Sequence, residues 1–337
     1  MKSSLSFIFG LLVGLFCACL AFAFLGQRSD DKGKNIVVAH GLPTDHPVHK
    51  GITEFARKLE ELSGGTMKAT VYPNELLGKE TVCLEKTQQG EIDITKVSCA
   101  PVGNFVPVFK LFSLPYLFRD RDHYWEVLDG EIGGDLLNAL SQQEDGSSSR
   151  LIGLNYFDAG SRSFYANTAL TGADSLSGLK IRVMEDPVAE ATVKALGGSA
   201  VTMPFGELFG MLQQGGVDGA ENNAPSYFSS SHYESCKNYL LDEHSRIPDV
   251  FVAGEKFWEG LDSTQRQWVR EAAAHSSQFQ RKVWEEESLK ALEELKNKGV
   301  TVRKADIASF QELTKGVVSE FATGERLDYV NRIKEVE

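Results

Sequence analysis

Cysteine, methionine and proline are scarce in this chain, at 5, 5 and 10 of 337 residues. So few cysteines exclude a disulfide-dense scaffold, and without a C-x-x-C pair neither a zinc site nor a thioredoxin-like centre is indicated. Past the N-terminal segment, Cys83, Cys99 and Cys236 remain. A Cys83–Cys99 bridge would leave one thiol over, and buried free thiols are the simpler reading. Positive charge is also short, with 35 Lys+Arg against 47 Asp+Glu, a net charge of −12. With no basic stripe along the chain, nucleic acid is excluded as a partner. A hydrophobic fraction of 42% and a charged fraction of 24% are those of a folded globular protein, here long enough for about two domains.

Catalytic signatures are missing as well. Leu77-Gly78-Lys79-Glu80 lacks the Ser/Thr and the upstream glycine of a phosphate loop, no G-x-G-x-x-G follows a strand, and no G-x-S-x-G occurs. His40, His46 and His49 lack the i, i+4 spacing that puts two imidazoles on one helical face, so structural or ligand-contacting roles outweigh a metal site. No metal and no cofactor is expected.

Long apolar runs are limited to one, Phe7 to Leu25, behind Lys2. The segment 1–26 reads as a signal peptide or a membrane anchor. Ala21-Phe22-Ala23 fits cleavage after Ala23, the run approaches the ~20 residues of a membrane span, and Cys17 and Cys19 raise lipidation as a third reading. The remainder is expected to lie outside the cytoplasm, in the periplasm.

From Asn35 onward the chain alternates strand and helix patterns. Asn35–His40 reads as a strand, Val48, Ile52, Phe55, Leu59 and Leu62 share one helical face, Met67–Tyr72 is a strand, Glu80–Gln89 a helix and Ile92–Val97 a strand. This β-α-β-α-β start implies an α/β fold with a largely parallel sheet. The polar loop 142–149 marks passage to a second lobe, giving lobe I over 35–150 and lobe II over 151–255. Thr264 to Lys298 carries neither proline nor glycine and predicts a helix about 50 Å long, able to brace both lobes within a C-terminal region 256–337.

Polar residues at apolar strand ends need a reason. Arg162 follows a strand in Gly160-Ser161-Arg162, Arg182 interrupts Leu179-Lys180-Ile181-Arg182-Val183, and Asn222 follows Val217-Asp218-Gly219-Ala220-Glu221. A guanidinium presents a planar fork that matches a carboxylate, and the pairing strengthens where water is excluded. The alternative is an internal carboxylate for each arginine, such as Asp158 or Glu185. Together the three residues point to an anionic ligand.

Their context is recognisable. Gly178-Leu179-Lys180-Ile181-Arg182-Val183, Met203-Pro204-Phe205-Gly206-Glu207-Leu208 and Gln213-Gln214-Gly215-Gly216-Val217-Asp218-Gly219-Ala220-Glu221-Asn222, with Leu114-Pro115-Tyr116-Leu117-Phe118 and Asp158-Ala159-Gly160-Ser161-Arg162, resemble the substrate-binding proteins of TRAP transporters, the DctP family. The resemblance covers nearly all of the chain past residue 35. It implies a two-lobed periplasmic-binding-protein-like α/β fold with a ligand cleft between lobes and a long domain-spanning helix. It also implies a receptor that does no chemistry and hands an organic acid to a permease of small and large membrane subunits, driven by an ion gradient. Arg182 matches the carboxylate-clamping arginine, Arg162 the second pocket arginine, Asn222 the pocket asparagine and Phe205 the aromatic wall. Ser98 stands where sialic-acid receptors carry an acidic residue, and the surrounding stretches look more like the branch that binds sugar acids such as hexuronates.

A sugar acid needs one carboxylate clamp and many neutral hydrogen bonds, for which Glu80, Lys96, Ser98, His46, Glu221 and His244 are candidates. Against this, Lys96 could reach solvent, Glu80 could sit at a helix start for its dipole and His46 could cap the helix from Pro47. A four-carbon dicarboxylate would want a second cation, and Lys96 is the best candidate for it. Rival classes are an extracytoplasmic enzyme using Glu80 and Glu221 as acid and base, and a sensor subunit. A monomer is expected.

Overall fold

The computed structural model describes residues 33–141 and 146–337. The N-terminal export or anchor segment lies outside the described residues. Among those described, no helix is long and apolar enough to cross a membrane.

The strands, in chain order, are β1 (Lys34–Ala39), β2 (Met67–Tyr72), β3 (Ile94–Ser98), β4 (Leu151–Phe157), β5 (Arg162–Ala166), β6 (Lys180–Val183), β7 (Ser199–Thr202), β8 (Gly219–Asn222), β9 (Asn238–Ser245), β10 (Asp249–Gly254) and β11 (Thr301–Lys304). They form a five-stranded sheet ordered β2-β1-β3-β10-β4 and a six-stranded sheet ordered β11-β9-β5-β8-β6-β7. The predicted β-α-β-α-β start is present, with β1 parallel to β2 and β3 across the helices Pro47–Leu62 and Glu80–Gln89.

The lobe boundary differs from the sequence reading. β4, assigned to lobe II by a break at 150/151, pairs antiparallel with β10, and β10 pairs antiparallel with β3. Both strands therefore complete the first sheet, which is mixed rather than largely parallel. The described part of this segment, 146–148, is exposed and leads into β4 of the same lobe, and the chain changes lobes later, at 158–161. It returns at 246–248. Serine and glycine in a loop mark exposure, not a change of lobe.

Strand alternation places the cores. In β10, Val250 and Val252 join one apolar cluster with Phe109, Phe112, Tyr124 and the C-terminal helices, while Phe251 and Ala253 face another with Ile52, Phe55 and Leu59. In the second sheet, Tyr165 and Phe164 likewise point to opposite faces.

The predicted long helix runs Ser263–Asn297, opened by an Asp262–Gln265 capping box. Val269, Ala272 and Ala273 pack in the first lobe's core, and Ala291 and Leu295 in the second's. Gly51 lets the helix Pro47–Leu62 approach closely, since a Cβ there would lie 2.7 Å from the Gln280 side chain.

The crossing at 158–161 is fixed by hydrogen bonds. Buried Gln280 donates to the Asp158 carbonyl at 2.8 Å and accepts from the Asp158 N–H at 2.8 Å. The Asp158 carboxylate accepts from the Gly160 N–H at 2.9 Å and Arg121 Nε at 3.2 Å. Gly160 has φ +61°, and a Cβ there would stand 3.0 Å from the Trp284 ring. Gly160→Ala is expected to cost about 1–2 kcal/mol from the left-handed backbone, read as a lower urea midpoint. An unchanged midpoint would show that this crossing tolerates a side chain.

Candidate functional site

Between the lobes lies a cleft lined by residues of both, the concave setting in which small-molecule sites occur. The first lobe contributes Glu75, Lys79, Glu80, Lys96, Ser98 and Asp249, and the second contributes Arg162, Arg182, Phe205, Asn222, Asn223 and Ser226.

Arg182 sits on β6, where an isoleucine precedes it and a valine follows. Its Nε and Nη2 donate to the Met203 carbonyl at 3.0 and 2.7 Å, aligning the guanidinium plane. Nη1 is buried and has no hydrogen-bond partner among the described residues. The guanidinium carbon lies 5.8 Å from the centre of the Phe205 ring. Burial pushes the Arg182 pKa below its ordinary value, with nearby Arg162 acting in the same direction. A buried cation with an unsatisfied donor at a cleft is a site for an anion.

Arg162 is arranged differently. Its Nε and Nη2 engage the Glu221 carboxylate, the latter at 2.9 Å, Nη2 also donates to the Glu221 carbonyl at 2.9 Å, and Nη1 donates to Asn222 Oδ1 at 3.1 Å. The internal carboxylate weighed for this arginine thus exists, as Glu221 rather than Asp158 or Glu185. Arg162 still lines the cleft, but its fork is largely committed.

Glu221 and His244, candidate ligand contacts from sequence, are not among the cleft-lining residues. They stand behind its wall. The strand β8 alternates, so Asn222 faces the cleft and Glu221 turns toward β5 and β9. His244 lies 2.8 Å from Asp242 and 3.6 Å from Glu221, stacked on Phe164 with ring centres 4.4 Å apart. Burial opposes the imidazolium, but Asp242 and Glu221 outweigh it and raise the His244 pKa to about 9. Burial likewise opposes the Glu221 carboxylate, and Arg162 with His244 bring it down to about 2. The result is a charged row, Asp242–His244–Glu221–Arg162, that braces the cleft from behind.

The first lobe's wall centres on Lys96, which is 2% exposed and so does not reach solvent. Its ammonium lies 3.0 Å from Glu80 and 3.1 Å from Asp249. Burial alone would lower the Lys96 pKa, yet the two carboxylates more than offset it and the net shift is upward. Glu80 also accepts from the Ser98 N–H at 3.2 Å. His46 both caps the helix Pro47–Leu62 and lines the cleft. Its Nδ1 accepts from the Val48 N–H at 3.2 Å, which leaves the proton on Nε2 to donate to Ser226 Oγ at 3.0 Å. Burial, then Lys96, holds this histidine's pKa well below the ordinary value, so it is neutral.

The lobes touch across the mouth. Lys79 meets Glu185 at 2.7 Å, and Glu75 accepts from the Gly206 N–H at 3.2 Å, at the start of the helix Phe205–Gln213. The Lys79–Glu185 pair is part-exposed, so it orients more than it stabilises.

Sequence reasoning missed Asp249, Asn223, Ser226 and Glu75. The signal for Asp249 was present, a lone carboxylate opening the apolar run Val250–Ala253. Cys83, Cys99 and Cys236 are buried and unbridged.

Comparison with known proteins decides the family. The family described as bacterial extracellular solute-binding protein, family 7 (DctP), matches residues 38–324. The chain belongs to this family. It is 32% identical over 310 residues to the C4-dicarboxylate-binding periplasmic protein DctP of Rhodobacter capsulatus, covering 91% of this chain and 88% of that one. It is similar to the TRAP periplasmic solute-binding protein of Xanthobacter autotrophicus with bound β-D-galacturonate, with 33% identity, TM-score 0.86 and coverage of 90% and 100%. It is likewise similar to the one from Pseudomonas putida with bound D-glucuronate, with 32% identity, TM-score 0.87 and coverage of 90% and 98%. The two-lobed fold and the long bracing helix are those of this family, and this TRAP solute-binding protein is a transport receptor for small organic acids, not an enzyme. It works outside the cytoplasm with a TRAP permease.

The charged row behind the cleft makes stability depend on pH. His244 is raised, so its contribution is complete below the unfolded value near 6.5 and is lost as pH climbs through about 9. His244→Asn should be less stable than wild type at pH 6, and the difference should shrink by up to about 3 kcal/mol by pH 10. Parallel denaturation curves at both pH values would contradict this reading.

Proposed function

We propose that the cleft captures a hexuronate and that Arg182 grips its carboxylate. The observation that carries this is the buried Nη1 of Arg182, which lacks a partner while the rest of the fork is pinned to the Met203 carbonyl. A carboxylate arriving there supplies the missing acceptor and the opposite charge together. Phe205 forms one side of the slot, and an aromatic face of this kind stacks on the apolar face of a sugar ring. Asn222, Asn223, Ser226, Ser98 and Glu80 offer the neutral and acceptor groups that ring hydroxyls require. The structural relatives with bound galacturonate and glucuronate support the same ligand class.

Binding couples to hinge closure. Each lobe holds one side of the ligand, so the closed form binds better and its population rises with occupancy. The closed receptor, as a monomer, then presents one composite surface to the small and large permease subunits. Residues 1–26 direct export and either are removed or tether the receptor to the membrane.

Calorimetry with D-galacturonate and D-glucuronate tests the clamp. Arg182→Ala is expected to lose about 2–5 kcal/mol of binding, and Arg182→Lys to weaken it as well because a point charge cannot replace a fork. Near-wild-type affinity in Arg182→Ala would overturn the assignment.

A further inference from the structure

We infer that Asp249, with Glu80, makes the first lobe's wall a specificity filter that accepts hydroxyls and rejects a second carboxylate. The inference rests on the hexuronate reading and extends it to the end of the ligand opposite the clamp. Among the described cleft-lining residues, the charged basic groups are Lys79, Lys96, Arg162 and Arg182. Three of the four are already committed to carboxylates: Lys79 to Glu185, Arg162 to Glu221, and Lys96 to both Glu80 and Asp249. Of the four, Arg182 is the one with a buried nitrogen that has no partner at all.

The first lobe's wall therefore carries more negative than positive charge. Lys96 is one ammonium between two carboxylates, and in the antiparallel register Asp249 lies opposite Ser98, two residues past Lys96. With Asp249 at 5% and Lys96 at 2% exposure, neither charge is diluted by bulk water. Glu75, also on this wall, has a backbone N–H as its partner and adds further negative character.

A ligand whose carboxylate sits on Arg182 in the second lobe thus meets carboxylate oxygens at its far end. Hydroxyls donate to such oxygens, whereas a second carboxylate would meet like charge in a partly dry crevice. Lys96, the cation a dicarboxylate would need, is not free to serve it. A six-carbon sugar acid with one carboxylate fits this wall, and its oxidised diacid does not.

Calorimetry on the exported receptor would compare D-galacturonate and D-glucuronate with the diacids galactarate and succinate. Wild type is expected to prefer the hexuronate by at least about tenfold. Asp249→Asn removes one negative charge from the wall, so the hexuronate should weaken and the diacid-to-hexuronate affinity ratio should rise about tenfold. If Asp249→Asn shows no cooperative unfolding transition, Glu80→Gln on the more exposed partner should move the ratio in the same direction. A wild type that binds hexuronate and galactarate equally well overturns the inference, as does a ratio within twofold of wild type in the folded variants. If wild type binds neither hexuronate, the parent reading fails at the Arg182 clamp and the filter falls with it.

Discussion

A buried guanidinium with one unanswered nitrogen, Nη1 of Arg182, organises this molecule. Taking an arginine into the end of a sheet is costly unless every donor finds an acceptor, and the chain answers two corners of Arg182 with a single backbone carbonyl. The remaining corner, Nη1, is buried in the wall of the cleft. Much of the surrounding architecture keeps that corner dry, oriented and unpaired. Phe205 covers it, the Arg162–Glu221 pair removes the nearest internal carboxylate from competition, and the second lobe's core holds β6 in register with β7 and β8.

Charge pairing therefore does two jobs with the same residue types. Behind the wall, Asp242, His244, Glu221 and Arg162 satisfy each other and fix the strands β5, β8 and β9. On the opposite lobe, Glu80, Lys96 and Asp249 satisfy each other while remaining at the cleft surface. Between them stands Arg182, whose buried Nη1 has no partner among the described residues.

Much of this was legible from residues alone. The helix starts and stops were written in capping residues and glycines, such as Gly90 ending Glu80–Gln89 with φ +75°. The arginines were visible as charges in apolar strands. What could not be read was partnership, because Glu221 meets Arg162 across a distance of fifty-nine residues and Asp249 meets Lys96 only when β10 inserts beside β3. Local pattern also misplaced the lobe boundary, since hydrophobic alternation in β4 says that it has a sheet but not which one. The assignment of Glu221 to the cleft failed for a related reason. A one-residue step along β8 reverses the facing side chain, and the sequence does not mark which of Glu221 and Asn222 looks outward.

Placing β4 and β10 in the first sheet has a consequence for how the receptor is assembled. Neither lobe is a continuous stretch of chain, and β3 lacks its antiparallel neighbour until residues 249–254 have been made. As the polypeptide emerges, Val97 and the other residues of β3 face an unfilled sheet position while the whole second sheet except β11 is still arriving. Such long-range closure slows folding and prolongs the exposure of an unpaired strand edge. The first half of the chain thus cannot finish its lobe until the second half has been made.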